Sequence, residues 1–585
     1  MKHLFIIITL LTLPLSLFPQ DSSERFLQTD LQSHRQLFEE AYAAYPQVPR
    51  GILEAVAFTN THCHHLTDAD YGPDDAESMP RAYGLLGLVA DGKQHFRENL
   101  LLVARLSAMD AETIKTQPKT NVLAYAAAFA HLMQGDKMEE YLSVVQQLSE
   151  LPMGDVKDTF PMQTMLYAVC DFLCDAHQAQ RWGFPKYDID MKSVFGDALP
   201  LLSSKRLVVS GDTDYPKALW RPADTSNFSE RTEPVNGVVV HYTEGSYAGC
   251  ISWFQNPASN VSAHYVIRSS DGQVTQMVRE ADKAWHARSA NAYTIGIEHE
   301  AYGDIISYFT PEMYASSADL VRDICSRYDN IDGHHTFYRD TLDNGTCLNV
   351  GLHDLGGATA CTQIRGHQHY PNQSHTDPGP FWDWNYYYKL INADVEVAVL
   401  EGEQGTLNHE NYANDERKIW LIRGPENSTI ELNFSSFELE KDYDFLWIYD
   451  GDNVFAPKLG RWNRHHPTTV SSSGNVLCVE FRSDCATSAD GWKATWKVLK
   501  PEPPAPELGF GVFPNPASDA IVIRVEDVGF VDAVIYDVYG NQVVPLTRFI
   551  GETRIDISSL SAGVYVVRYG LAFALDRTFK FVKMQ

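Results

Sequence analysis

The chain has 585 residues, 44% apolar and 21% charged, a composition of folded globular domains that excludes a disordered or coiled-coil protein. At roughly 100–200 residues per domain, that length makes about three to five domains. Lys and Arg total 47 and Asp and Glu 76, and the net charge of −29 argues against nucleic acid and anionic lipid as partners, since both need clustered cations.

Residues 1–20 read as a signal peptide. Lys2 and His3 precede an apolar run, Leu4–Phe18, too short for a membrane span and suited to a secretory segment cleaved near Gln20. No later run approaches a span, so the mature chain is expected to be soluble. All nine cysteines follow the signal, in a compartment that permits disulfides, and their odd number leaves at least one unpaired within the chain. Residues 23–180 carry apolar residues at helical spacing, as in Arg25–Tyr45, Ile52–Phe58, Phe96–Leu106, Val122–Met133 and Met162–Leu173. A proline-marked connector is expected over 181–229. Val238-Val239-Val240 then predicts a strand buried on both faces. Further strands are expected at Ala263–Ile267, Val274–Val278 and Thr294–Glu300, and a helix from Pro311, behind a Thr310 cap, to Tyr328. Residues 331–363 form a loop too long to be a plain connector. Alternating strands and turns over 406–498 predict a β-sandwich, 499–508 a stiff proline linker and 509–585 a small β-domain.

His241 ends the apolar strand, His367 follows Gly366, and Asp377 precedes Pro378-Gly379-Pro380. Two imidazoles and a carboxylate suit a catalytic zinc with one open position. Spacing alone does not bring residue 241 to residue 367. The motifs Val-Val-His-Tyr-Thr (239–243), Ser-Ala-His-Tyr-Val-Ile (262–267), Ala-Trp-His-Ala (284–287), Ile-Gly-Ile-Glu (295–298) and Gly-His followed by Thr-Asp-Pro-Gly-Pro (366–380) occur in order. Together they resemble the zinc-dependent N-acetylmuramoyl-L-alanine amidases, the type 2 amidases related to peptidoglycan recognition proteins. The resemblance covers about 230–392. It implies an α/β domain with a mixed sheet, zinc on His241, His367 and Asp377, and cleavage of the amide between the lactyl group of N-acetylmuramic acid and L-alanine in peptidoglycan or muropeptides. Glu298 matches the family's catalytic glutamate, and Glu300, on the same strand face, is the competing base. His375 stands where the family often has an oxyanion-steadying lysine, which implies a shifted pH optimum. Trp285 and His286 match a pair beside the substrate groove. A disulfide between Cys347 and Cys361 would tether the loop before His367.

Pro49–Phe58, Tyr83–Leu88 and Asn121–Ala127 resemble lysozyme-like lytic transglycosylase domains, with Asn60 at the position of the catalytic glutamate. Asparagine cannot protonate a glycosidic oxygen, so the helical domain is expected to be inactive. His62, Cys63, His64 and His65 are adjacent and cannot all reach one ion, so a helix end is expected there. Ile419–Ile422, Ile430–Phe434, Tyr443–Gly451 and Phe481–Asp484 resemble a CUB domain, a jelly-roll sandwich, and imply calcium on Glu438, Asp444 and Asp484. Phe513–Ala517, Ile535–Gly540 and Leu560–Tyr565 resemble the C-terminal sorting domain of the bacterial type IX secretion route. That resemblance implies export to the surface or medium of a Gram-negative bacterium. The expectation is a multidomain secreted zinc amidase acting on peptidoglycan. The alternative is a non-catalytic peptidoglycan-binding or surface adhesion protein.

Overall fold

The helical periodicity of the first third folds as α1 (34–44), α2 (Ile52–Thr61), α3 (Asn99–Ser107), α4 (Ala111–Thr116), α5 (Pro118–Leu132), α6 (Met138–Ser149), α7 (Phe160–Cys174) and α8 (Ala176–Trp182), with a small ladder of β1 (Ala82–Tyr83) and β2 (Leu88–Val89). The computed structural model describes residues 34–585 apart from 72–78, 94, 153–157, 204–212, 304, 339–360, 371–374, 442, 464, 466, 501–509, 526–529, 572–574 and 576. The signal segment therefore lies outside the described residues. Local chemistry sets several helix starts: the Asp110 and Asp175 side chains accept the Thr113 and Gln178 N–H groups, and Pro118 opens α5. His62 and Cys63 take left-handed backbone at φ 49° and 62°, which ends α2 as expected.

The stretch expected to be a connector is instead built into both neighbours. Within it lie α9 (Met191–Phe195) and α10 (Leu199–Leu202), whose Phe195 and Leu202 join the helical core. It also holds β3 (Leu219–Trp220), an edge strand of the central sheet, and β4 (Phe228–Glu230).

The central sheet follows with β5 (Gly237–Tyr242), β6 (Tyr265–Ile267), β7 (Val274–Gln276), β9 (Thr294–His299) and β10 (Ile364–Gly366), in the order β10-β5-β9-β6-β7-β3. A short β8 (Asp282–Ala284) pairs with β4. Strand β5 is flanked by parallel partners on both sides and all six of its residues are buried, as its valine run predicts. Because β6 and β7 run antiparallel, the sheet is mixed. Val238 and Val240 face α12 (Pro311–Arg327) and α13 (Trp384–Ile391) in one core with Leu320 and Trp384, whereas Val239 packs with Ala287, Ala290 and Tyr370. Helix α12 starts as expected, with the Thr310 hydroxyl accepting the Met313 N–H. The short α11 (Tyr247–Phe254) follows β5 and is buried along its whole length.

The sandwich begins earlier than expected, at β11 (Val397–Glu401), and runs to β19 (Gly491–Leu499) in one five-stranded and one four-stranded sheet. It is bound to the central domain by a disulfide between Cys361 and Cys485. This corrects the expected Cys347–Cys361 pairing, for Cys361 bonds across the domain boundary, 124 residues along the chain. Residue 347 lies outside the described residues. Beside this boundary Lys389 of α13 donates to the Tyr449 hydroxyl and the Val454 carbonyl, both at 2.8 Å, and lies 3.6 Å from the buried Glu480, which also binds Arg417. Residues up to 498 form one compact unit and 499–585 a second, with a three-stranded and a four-stranded sheet around Ile521, Ile535 and Val567. Among the described residues no helix is long and apolar enough to cross a membrane.

Candidate metal centre and groove

The C-terminal ends of the parallel strands build the site, as is usual in α/β sheets. His241 is the penultimate residue of β5, and its partner across the ladder on β9 is Glu298. His367 leaves β10 directly. Gly366 lets the Asp377–Pro378 segment approach, since a β-carbon there would fall on the Pro378 ring, and the Gln368 N–H donates to the Asp377 carbonyl at 3.1 Å. The two histidines and Asp377 are thereby gathered with their ligand atoms within 4.8 Å of one another. His241 Nδ1 lies 2.8 Å from one Asp377 carboxylate oxygen and His367 Nδ1 3.2 Å from the other. All three side chains are buried. Burial pushes His241 down to about 4, so it stays neutral, the form that ligates a metal.

The far side of His241 is also occupied. Its Nε2 lies 2.9 Å from His286 Nδ1, His286 Nε2 lies 3.3 Å from the Thr294 hydroxyl, and that hydroxyl donates to the Ala290 carbonyl at 2.7 Å. Gly296 on β9 makes room for the His286 ring, which would lie 2.6 Å from a β-carbon there. Asn291 Oδ1 accepts the main-chain N–H groups of His286 and Ala287, fixing the loop. His286 thus stands behind a predicted ligand as well as on the groove.

The two candidate bases separate cleanly. Glu300 accepts the Tyr247 N–H at 2.7 Å with one oxygen and the Ser269 N–H at 2.9 Å with the other, so both oxygens are spent on the backbone. Glu298 lines the groove, and its Oε2 is buried without a hydrogen-bond partner among the described atoms. Burial first, then the charges of Asp377 and Glu244, hold its carboxyl well above the usual range. His375 stacks on His367 with ring centroids 4.4 Å apart, and Trp285 donates its indole N–H to Ser229 at 3.2 Å. The cavity over these residues is about 520 Å³. Sequence reading missed Met79, Asn260, Lys283 and Arg288 on its lining. Asn260 and Arg288 carry a structural mark, left-handed backbone at φ 56° and 49°, and that is invisible in sequence.

A second acidic group lies in the sandwich. The structure brings Glu440, not the expected Glu438, to Asp444 and Asp484, again within 4.8 Å. Glu438 ends its strand with an exposed side chain, whereas Glu440 sits in the turn beyond. Burial and the neighbouring carboxylates raise Asp444 to about 7. Among the described residues these two are the groups of three or more potential ligands, and the His62–His65 stretch forms none.

A family model described as N-acetylmuramoyl-L-alanine amidase matches residues 231–380. N-acetylmuramoyl-L-alanine amidase A of Achromobacter lyticus is 41% identical over 180 residues, 31% of this chain and 96% of that protein. The chain belongs to the N-acetylmuramoyl-L-alanine amidase family. Outside the amidase domain, a CUB domain model matches 398–496 and a secretion system C-terminal sorting domain model 511–572. The bone morphogenetic protein 1 homolog of Strongylocentrotus purpuratus is 34% identical over 119 residues, 19% of this chain, which spans 19% of that relative. Among solved structures, the Staphylococcus aureus hydrolase AmiA is 17% identical with a TM-score of 0.23, over 36% of this chain and 93% of that one.

Proposed function

We propose that this chain is an exported zinc amidase that cuts the bond between the lactyl group of N-acetylmuramic acid and L-alanine in peptidoglycan. The observation that carries the reading is the buried His241–His367–Asp377 group with the unpartnered Glu298 oxygen beside it. Two imidazoles and a carboxylate fit zinc, and a partnerless buried carboxylate oxygen fits a proton acceptor next to it. Zinc bound there supplies a water acidified to a pKa of about 7 and a Lewis acid for the amide carbonyl. Glu298 takes the proton of the attacking water and passes it to the departing amine nitrogen of L-alanine. Burial holds its carboxyl above the usual range, which suits a group that must return the proton it accepts. His375 donates to the oxyanion. His286 accepts the Nε2 proton of His241, which leaves the Nδ1 lone pair for the metal. Trp285 lines the groove for the substrate.

In the CUB domain, Glu440, Asp444 and Asp484 would hold calcium, since three crowded carboxylates call for a hard cation. The tail directs the chain through a type IX route to the cell exterior.

The test is incubation of purified zinc-loaded protein with peptidoglycan sacculi, followed by mass spectrometry. Free stem peptides with an L-alanine amino terminus and glycan strands with intact lactyl groups are expected, and both should vanish in His367→Ala together with bound zinc. Undigested sacculi with zinc in place would leave a binding protein.

A further inference from the structure

Helix α11 leaves β5 at the metal group, and its eight residues are apolar or small and all buried. A helix of this kind is covered on both sides. One cover is the central sheet, and the other is the helical layer: Tyr247, Ile251, Trp253 and Phe254 share a core with Phe160, Met165 and Leu100. Phe96 meets the Trp253 ring edge-on at 5.1 Å. Polar bonds cross the same seam. Arg268 donates to the Thr164 hydroxyl at 2.6 Å and to the Leu202 carbonyl at 2.9 Å, and Gln255 donates to Asp158 at 2.9 Å. Next to Asn60 the helical layer meets the amidase domain again, for His62 stacks on Tyr308 at 3.7 Å and the Tyr308 hydroxyl donates to the Asn60 carbonyl at 3.4 Å.

Among the described residues of this layer, one side chain reaches the groove. Met79 lines the cavity together with His241, Glu298, His367 and Asp377. Its place is held open by glycine: a β-carbon on Gly245 would fall on the Met79 methyl, and one on Gly249 would come within 3.9 Å of its sulfur. A thioether adapts its shape to an irregular apolar surface. We propose that the helical layer is a working part of the amidase, forming a wall of the substrate groove, and that Met79 packs against an apolar face of the substrate beside the scissile amide. This rests on the amidase reading above and gives the otherwise unassigned helical segment a role in substrate binding in place of glycan cleavage.

The test uses full-length zinc-loaded protein and N-acetylmuramoyl-L-alanyl-D-isoglutamine as the probe. Met79→Ala should raise KM roughly tenfold through lost apolar contact, with kcat within about twofold and zinc content unchanged. Met79→Leu should stay near the wild type. Gly245→Ala, whose methyl displaces the thioether, should raise KM in the same way. A wild-type KM in Met79→Ala, or a fall in zinc content that accounts for the change, overturns the proposal. If the wild type itself leaves the lactyl amide intact, it is the amidase reading that fails, before Met79 is at issue.

Discussion

Glu298 and Glu300 share one face of the same segment, yet their surroundings assign them opposite work. Glu300 satisfies two main-chain N–H groups, one of them at the start of α11. Glu298 keeps an oxygen free toward the groove. Glu298→Gln should retain zinc and lose about 10²–10⁴ in turnover. Glu300→Gln should instead lower the unfolding temperature by weakening charge-assisted bonds worth about 1.5–3 kcal/mol each, with turnover in the surviving fold little changed. Turnover assays beside thermal melts of both variants decide it, and a crippled but stable Glu300→Gln would reverse the assignment. His286 gives a second residue-scale test. His286→Phe removes the acceptor behind His241 and should weaken zinc binding about 10–100-fold in a chelator competition. His286→Asn restores an acceptor and should recover much of that loss. Equal zinc affinity in the Phe variant would show that His241 is oriented without its neighbour.

At the scale of elements, the turns of the sandwich hold the clearest pH response. Asp444 rises from an ordinary 3.8 to about 7 because it is buried against Asp484 and Glu440. A carboxyl whose folded pKa lies above its unfolded one binds protons more tightly when folded, so its stabilisation is present below about pH 4 and is lost as pH rises through about 7. In chelator, the sandwich should therefore melt at a lower temperature at pH 8 than at pH 5. Millimolar calcium should remove most of that difference by neutralising the ionised group. Calorimetry of the full chain at the two pH values, with and without calcium, measures this. A pH 8 transition that ignores calcium would leave the three acids as a cluster without an ion.

At the scale of the whole molecule, the amidase sheet, the helical layer and the sandwich are not beads on a string. They share cores, a disulfide and a buried charge cluster within one unit, and 499–585 forms the second. Deletion of 509–585 should trap the enzyme in the periplasm, while the full chain reaches the cell surface or medium. Outside the cell, the accessible wall is foreign or shed. Cell fractionation of both forms, followed by immunoblotting, tests the point, and full-length protein confined to the periplasm would make the tail a plain adhesive module.

The valine run of β5, the Thr310-Pro311 start of α12 and the ordered motifs around His241, Glu298 and His367 were legible because each is local: strand alternation, helix capping and short motifs operate over a few residues. Glu440 in place of Glu438 was harder, since the choice depends on where a strand stops and its turn begins, and acidic residues crowd that stretch. The Cys361–Cys485 bond, the place of Leu219–Trp220 at the edge of the central sheet and the reach of Met79 into the groove carry no local mark at all. They follow from which surfaces meet when segments far apart in the chain close on one another. Sequence by itself determined the valine strand, the Thr310-capped helix and the chemistry of the ligands. Tertiary structure decided which ligands meet and which neighbours hold them there, because burial and long-range packing, not spacing, set those contacts.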